Sequence, residues 1–283
     1  MLTDVERRPR KVAVGEFDGV HLGHREVIAG SDTVLTFEPH PLQVVRPEAA
    51  PRLLTSFETK TELIAGLGVE ELVVIPFDQG FAAQSPQEFI DQVLVGALEA
   101  TRVSVGENFR FGNRAAGDPQ VLGADPRFET RVVPLVELDG EIVSSSHIRA
   151  LVQAGEVELA GRMLGAPFQM RGEVVEGDRR GRTLGFPTAN IVPDEKLVCP
   201  GHGVYVARAD GTCAAVNVGV RPTFGTGRGV LVEAYLLDRE VDLYGQVLRV
   251  EFRNRLRGER RFESIDALVE QIHRDVERTR ELC

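Results

Sequence analysis

Two histidines stand three apart around a glycine in His21-Leu22-Gly23-His24. Imidazoles so placed can donate to phosphate oxygens, or they can share a metal ion. A zinc site would want further Cys or His ligands at matching spacing, and Cys199, Cys213 and Cys283 are dispersed with no such spacing. The residues before the pair favour phosphate. An apolar run at 12–14 reads as a buried strand, and Gly15-Glu16-Phe17-Asp18-Gly19-Val20 comes directly after it. Gly15 and Gly19 allow a tight turn with close backbone approach. Residues 25–29 then have helical character, and Gly30 is a natural stop. Strand, glycine turn and helix N-terminus together make an anion site, because free N–H groups and the helix dipole both point at the turn. The helix is short, since only nine residues separate His24 from Val34.

Five further stretches carry candidate groups. His40, in Glu38-Pro39-His40-Pro41, comes after a strand candidate at 33–37. It is either a loop histidine held by prolines or a group at the carboxyl end of a strand, where open α/β sheets bind ligands. The stretch 106–118 has three glycines, an aromatic pair and two arginines, and holds Asn108, Phe109 and Arg110. Ser144-Ser145-Ser146-His147-Ile148-Arg149 opens a helix, where serines are ordinarily caps. The stretch 177–190 contains Gly177, Gly181, Gly185, Thr188 and Asn190. It lacks the lysine and Ser/Thr of a P-loop, so the bare pattern leaves a flexible basic loop open beside a phosphate loop. Glu233 breaks an otherwise apolar strand, and such a glutamate is ordinarily solvent-facing.

The elements that must position these residues fall into two halves. In the first, strands are expected at 12–14, 33–37, 71–76, 102–106 and 131–138, with helices between them. Thr55 with Glu58, and Ser85 with Glu88 and Pro86, read as capping boxes. Phe89, Ile90, Val93, Leu94 and Leu98 form a core stripe. Alternation of this kind implies a parallel sheet with right-handed crossovers. Helices at 144–155 and 156–163 close the half, and 164–167 breaks the pattern. Thereafter short strands recur at 168–175, 203–209, 213–220, 230–237 and 246–252, separated by glycine-rich turns, as in a small antiparallel barrel. Ser264 caps a final helix whose Ile265, Leu268, Val269, Ile272 and Val276 share one face. The expected domains are therefore 1–161 and 162–283.

At 283 residues, 42% hydrophobic and 27% charged, the chain is expected to be globular and soluble. A formal net charge of −10 argues against bulk nucleic-acid binding and against an anionic membrane surface. No apolar run approaches the ~18 residues of a membrane span, and residues 3–11 lack the apolar core of a signal peptide. Three dispersed cysteines point to a reducing cytoplasm.

His-x-Gly-His after a first strand resembles the nucleotidylyltransferase superfamily. The fuller run from Gly15 to Arg25, with Thr-Phe-Glu-Pro-His-Pro at 36–41, resembles the adenylyltransferase module of bacterial bifunctional riboflavin kinase/FAD synthetases. Gly177 through Asn190 and the strand around Glu233 resemble their riboflavin kinase module. The resemblance implies a Rossmann-like parallel sheet with a riboflavin kinase barrel after it. It implies that His21 and His24 stabilise the α-phosphate of ATP, with Gly15, Phe17, Asp18, Gly19, Ser145, Ser146 and Arg149 also at ATP. His40, Asn108, Phe109 and Arg110 would hold the flavin; many relatives carry Asp where Asn108 stands. In the second module the glycines 177, 181 and 185 would cover ATP phosphates, Thr188 and Asn190 would bind Mg²⁺ and phosphate, and Glu233 would be the base. Val216 to Gly225 would be a loop near these ligands. Riboflavin, FMN and ATP are the implied substrates.

Overall fold

The computed structural model of the protein describes residues 6–177, 185–220, 230–239 and 241–283. The chain divides into two compact units, residues 1–145 and 146–283.

The first unit is built on five parallel strands, β1 (Arg10–Val14), β2 (Thr33–Glu38), β3 (Glu71–Pro76), β4 (Ala100–Gly106) and β5 (Glu129–Val133), in the order β3-β2-β1-β4-β5. The order puts β1 at the centre, and its Val12, Ala13 and Val14 are buried on both faces. Strands run outward from β1 in one direction through β2 and β3, then in the other through β4 and β5. The carboxyl ends of β1 and β4 thus form a topological switch point, where such sheets open a crevice for ligands.

The helices of this unit are α1 (Leu22–Ile28), α2 (Pro41–Val45), α3 (Phe57–Ala65), α4 (Gln79–Ala82), α5 (Pro86–Phe89) and α6 (Pro119–Gly123). Ser85 and Glu88 form the expected capping box. A π-helical stretch, Ile90–Ala97, continues α5, and Phe89, Ile90, Val93, Leu94 and Leu98 are all buried.

Three expectations need correction here. The cap of α3 is Ser56, whose hydroxyl accepts the Thr59 N–H at 3.2 Å, one residue later than the Thr55 box. The fifth strand stops at Val133, because Pro134 has no N–H to donate. Residues Glu137–Leu138 (β6) instead pair with Glu141–Ile142 (β7) across an Asp139-Gly140 turn with φ of 55° and 82°. Positive φ at both central residues is the usual Asp-Gly hairpin geometry. Third, two short helices, α2 and α4, lie where no particular helix is marked by the sequence pattern.

The second unit opens with α7 (Ser145–Ala154) and α8 (Val157–Leu164), the latter ended by left-handed Gly165. Six strands then close a barrel: β8 (Phe168–Val175), β9 (Ala189–Pro193), β10 (Gly203–Ala209), β11 (Thr212–Val220), β12 (Val230–Leu236) and β13 (Val247–Arg257), in the order β10-β11-β12-β9-β8-β13. Neighbouring strands pair antiparallel. β9 is an additional strand where the sequence pattern indicates loop; residues 213–220 are strand as the pattern predicts, not the loop that the resemblance puts at 216–225, of which 221–225 lie outside the described residues. Alternation sorts β12 into an inner set, Val232, Ala234 and Leu236, and an outer set with Glu233 and Tyr235. The final helix, α9 (Ile265–Leu282), is capped by Ser264 as expected. Val269, Ile272 and Val276 pack on Phe186, Tyr235, Leu237 and Cys213 of the barrel, whereas Ile265 is 68% exposed.

The dispersed cysteines also hold a correction. Cys213 and Cys283, 70 residues apart, are joined in a disulfide that ties the end of α9 to β11.

Candidate functional sites

In the first unit the turn after β1 is held in an unusual backbone shape. Phe17 (φ 53°) and Val20 (φ 43°) both occupy the left-handed region. That is costly for any side chain and most of all for β-branched valine. Both are fully buried, so packing holds the strain in place. Gly15 is glycine because a Cβ would lie 3.0 Å from the Phe17 ring. The Asp18 carboxylate is buried and accepts the Leu54 N–H at 2.9 Å and the Thr55 N–H at 3.2 Å. Gly19 N–H donates to Thr55 Oγ1 at 3.2 Å, and Ser145 Oγ donates to the Asp18 carbonyl at 2.9 Å.

This bracing delivers the two histidines. His21 caps α1, its Nδ1 accepting the His24 N–H at 3.3 Å. The two imidazoles stack with centroids 3.5 Å apart and planes 18° apart, and the edge of Phe17 meets His24 at 5.4 Å. Gly23 leaves room beneath, since a Cβ there would come within 3.3 Å of the His21 ring.

Beside the turn lies a cleft lined by Glu16, Asp18, Glu38, His40, Thr55 and Lys60, among others. His40 caps α2, its Nδ1 accepting the Leu42 N–H at 3.2 Å. Buried Lys60 donates to the Glu16 carbonyl at 3.3 Å and to Thr36 Oγ1 at 3.4 Å. Burial pushes the Glu16 carboxyl up to about 8, with Lys60 opposing the rise and Asp18 and Glu38 adding to it.

After β4, the loop carries Asn108, Phe109 and Arg110. Asn108 and Arg110 are exposed. Phe109 stacks on Phe111 at 5.6 Å, and Phe111 continues through Phe89 and Phe81 to Phe37 in the core. Phe109 is thus a half-buried aromatic side chain packed onto the core beyond the carboxyl end of β4.

In the second unit three polar side chains meet across adjacent strands. Glu233 on β12 is directly opposite Asn190 on β9 and Asn217 on β11. Opposed residues share a sheet face, and Asn217 Nδ2 donates to Glu233 Oε2 at 3.2 Å. Asn190 is buried against Gly177, where a Cβ would lie 2.3 Å from its Nδ2. Thr188, two residues before Asn190, is half-buried. Phe186 anchors this segment, meeting Tyr235 at 5.4 Å and His273 of α9 at 5.0 Å. Gly185, with φ of 87°, makes the turn into it.

Comparison with known proteins finds a family for each part of the chain. Residues 4–147 match the FAD synthetase family and residues 164–283 match the riboflavin kinase family. A bifunctional riboflavin kinase/FMN adenylyltransferase of Bacillus subtilis is 38% identical, over 95% of this chain and 91% of its own length. One from Escherichia coli is also 38% identical, over 93% and 90%. The chain belongs to the bifunctional riboflavin kinase/FMN adenylyltransferase family. A crystal structure of a Streptococcus pneumoniae protein named as a macrolide-efflux protein shares this fold at a TM-score of 0.89 and 32% identity, over 99% of this chain and 96% of that one. No described helix here is long and apolar enough to cross a membrane.

Within this family frame, the structure brings His21 and His24 together in one unit, and Asn190 and Glu233 in the other. Ser146 and Arg149 lie on α7 in the second unit, with Arg149 Nη1 donating to Ser146 Oγ at 3.4 Å. Gly181 lies outside the described residues. Three residues at the sites have roles that the sequence pattern did not assign. Asn217 had a usable signal, a lone polar residue at an outward position of a strand. Thr55 and Lys60 had none, because their roles come from long-range contacts with the 15–20 turn.

Proposed function

We propose that this chain makes FAD from riboflavin in two consecutive transfers, one in each unit. In the second, Glu233 takes the proton of the riboflavin 5′-hydroxyl while its oxygen bonds the γ-phosphorus of ATP, and ADP leaves. Asn217 holds the Glu233 carboxylate in place. In the first unit, an oxygen of the FMN phosphate attacks the α-phosphorus of a second ATP, and pyrophosphate leaves. His21 and His24 act by stabilising charge that builds up in that step. Asp18 is proposed to position the turn through Leu54 and Thr55, and Phe17 to anchor it, so that their part in ATP binding is indirect. Ser145, Ser146 and Arg149 are proposed as phosphate ligands, and His40, Asn108, Phe109 and Arg110 as flavin contacts.

The donors around the kinase cluster fit Mg²⁺. Thr188, Asn190 and Glu233 offer oxygen atoms, the ligand type this hard cation prefers. Among the described residues no three His, Cys, Asp or Glu side chains are grouped to hold a metal alone, so the ion would be shared with ATP oxygens. When bound it supplies charge neutralisation for phosphoryl transfer. The proposed setting is the cytoplasm.

The observation that carries this reading is the opposition of Glu233 to two asparagines in one unit and the stacked histidine pair in the other. The test is chromatography of products from riboflavin and Mg-ATP over time. FMN should rise first and FAD later. The double variant His21→Ala, His24→Ala should stop at FMN. FAD production by that variant would remove the histidines from the mechanism.

A further inference from the structure

β11 carries a glycine at 219, still paired opposite Leu231 of β12, that no turn and no left-handed backbone requires. Glycine within a strand weakens it and marks a place where another group comes close. Here that group is Glu259, two residues beyond the end of β13. A Cβ on residue 219 would lie 2.7 Å from Glu259 Oε1 and 3.6 Å from Asn217 Nδ2. The carboxylate therefore takes the space of a side chain at 219, and the Asn217 amide borders the same space. The other oxygen of Glu259 faces His202, with Oε2 3.7 Å from Nδ1. The two proposed transfers give Glu259 no work.

Asn217 and residue 219 share one face of β11, because side chains alternate along a strand. Asn217 is thus flanked by two glutamates, Glu233 across the sheet and Glu259 along the strand. Its Nδ2 donates one N–H to Glu233 Oε2 at 3.2 Å and carries a second. An ionised carboxylate accepts only, so both glutamates favour the same end of the amide. An asparagine amide can otherwise turn over and exchange its N–H groups for its carbonyl. Turned over, it would set an oxygen against Glu233 and release that carboxylate.

We infer that Glu259 is a positioning residue of the kinase centre: it fixes which end of the Asn217 amide faces Glu233, and residue 219 is glycine to admit it. Glu259 acts through Asn217 and not on the substrates. The inference rests on Glu233 being the base of riboflavin phosphorylation.

The experiment measures kcat and KM for riboflavin phosphorylation by the full chain with Mg-ATP, together with melting temperature. Glu259→Ala should lower kcat about two- to tenfold, the worth of one net hydrogen bond, and leave KM for riboflavin unchanged. Gly219→Ala should do the same without touching Glu259. Its methyl meets the free end of a flexible side chain and not backbone, so it displaces the carboxylate and should melt no lower than wild type. In Asn217→Ala, adding Glu259→Ala should cost nothing further, since the two changes remove one interaction. A full additional loss in that background, or normal kcat in Glu259→Ala, would overturn the assignment. So would a loss that tracks a lowered melting temperature in Glu259→Ala while Gly219→Ala keeps wild-type kcat, because Glu259 would then support the fold alone. Normal turnover by Glu233→Gln would overturn the base itself and this inference with it.

Discussion

At the scale of single residues, the positions that matter are those where local preference loses to something else. Glu16 is one. Its folded-state value of about 8 lies well above the ordinary 4.5. The folded protein therefore holds this proton more tightly than the unfolded chain does. The associated stability is complete below about pH 4.5 and is lost as pH rises from there through 8. Glu16→Gln has no such proton to lose. The denaturation midpoint of this variant should exceed that of wild type by an amount that grows from pH 5 to pH 8. A constant difference across that range would mean the carboxyl titrates normally. Glu233 poses a different question, because nothing about its strand distinguishes a base from a surface glutamate. Glu233→Gln should cut riboflavin phosphorylation by about 10²–10⁴ while FAD formation from supplied FMN continues. Gly177→Ala should be nearly as damaging to the kinase, since its methyl would occupy the space of the Asn190 amide. A Gly177→Ala protein with normal FMN production would show that Asn190 can move without loss.

Elements explain why some of this was legible in the sequence and some was not. The central strands, the Ser85 box and the barrel strands announce themselves by short-range patterns: apolar runs, a capping pair, alternation between turns. His21 and His24 could be picked out from a local motif, whereas Glu233 was singled out as a base only by the resemblance of its strand to the riboflavin kinase family. β9 was hidden because its pairing with β8 and β12 is long-range and its five residues, Ala189–Pro193, come after a glycine-rich stretch that dominates the local pattern. The bracing of the turn by Leu54, Thr55 and Lys60 was hidden for the same reason. Cysteine spacing failed similarly, since 70 residues of separation say nothing about proximity in a barrel that ends in a helix lying on its own strands. The Cys213–Cys283 link closes a long loop, and chain-entropy reasoning assigns such a link about 4 kcal/mol at most. Reduced protein should therefore melt its second unit at a lower temperature than oxidised protein. Cys283→Ser should match the reduced form whether or not a thiol reagent is present. Identical melting in all three would mean the cross-link adds nothing to the folded unit.

Across the whole molecule, the two activities raise the question of what each unit needs in order to stand alone. The sequence pattern leads one to expect a boundary at 161/162, whereas the compact units divide at 145/146. We propose that the kinase chemistry itself needs only residues C-terminal to the expected boundary, because Asn190, Asn217 and Glu233 all lie there. Folding of the barrel draws on more. Glu158 Oε1 on α8 accepts the Arg255 N–H at 3.1 Å and Asn254 Nδ2 at 3.3 Å. The carbonyl of Ala154, at the end of α7, accepts Arg255 Nη1 at 3.0 Å, and that of Val152 accepts the Gly201 N–H at 3.0 Å. Val152, Val157 and Ala160 are fully buried in these helices. A cut at 162 removes all of these and exposes the apolar surface they cover, at roughly 1.5–3 kcal/mol for each large side chain. A fragment spanning 146–283 should phosphorylate riboflavin and unfold cooperatively. One spanning 162–283 should keep its KM for riboflavin while active, but have a markedly lower melting temperature. Equal melting temperatures would show that α7 and α8 are not part of the barrel's folding unit. A stable 146–283 fragment without kinase activity would mean that the site borrows a group from residues 1–145.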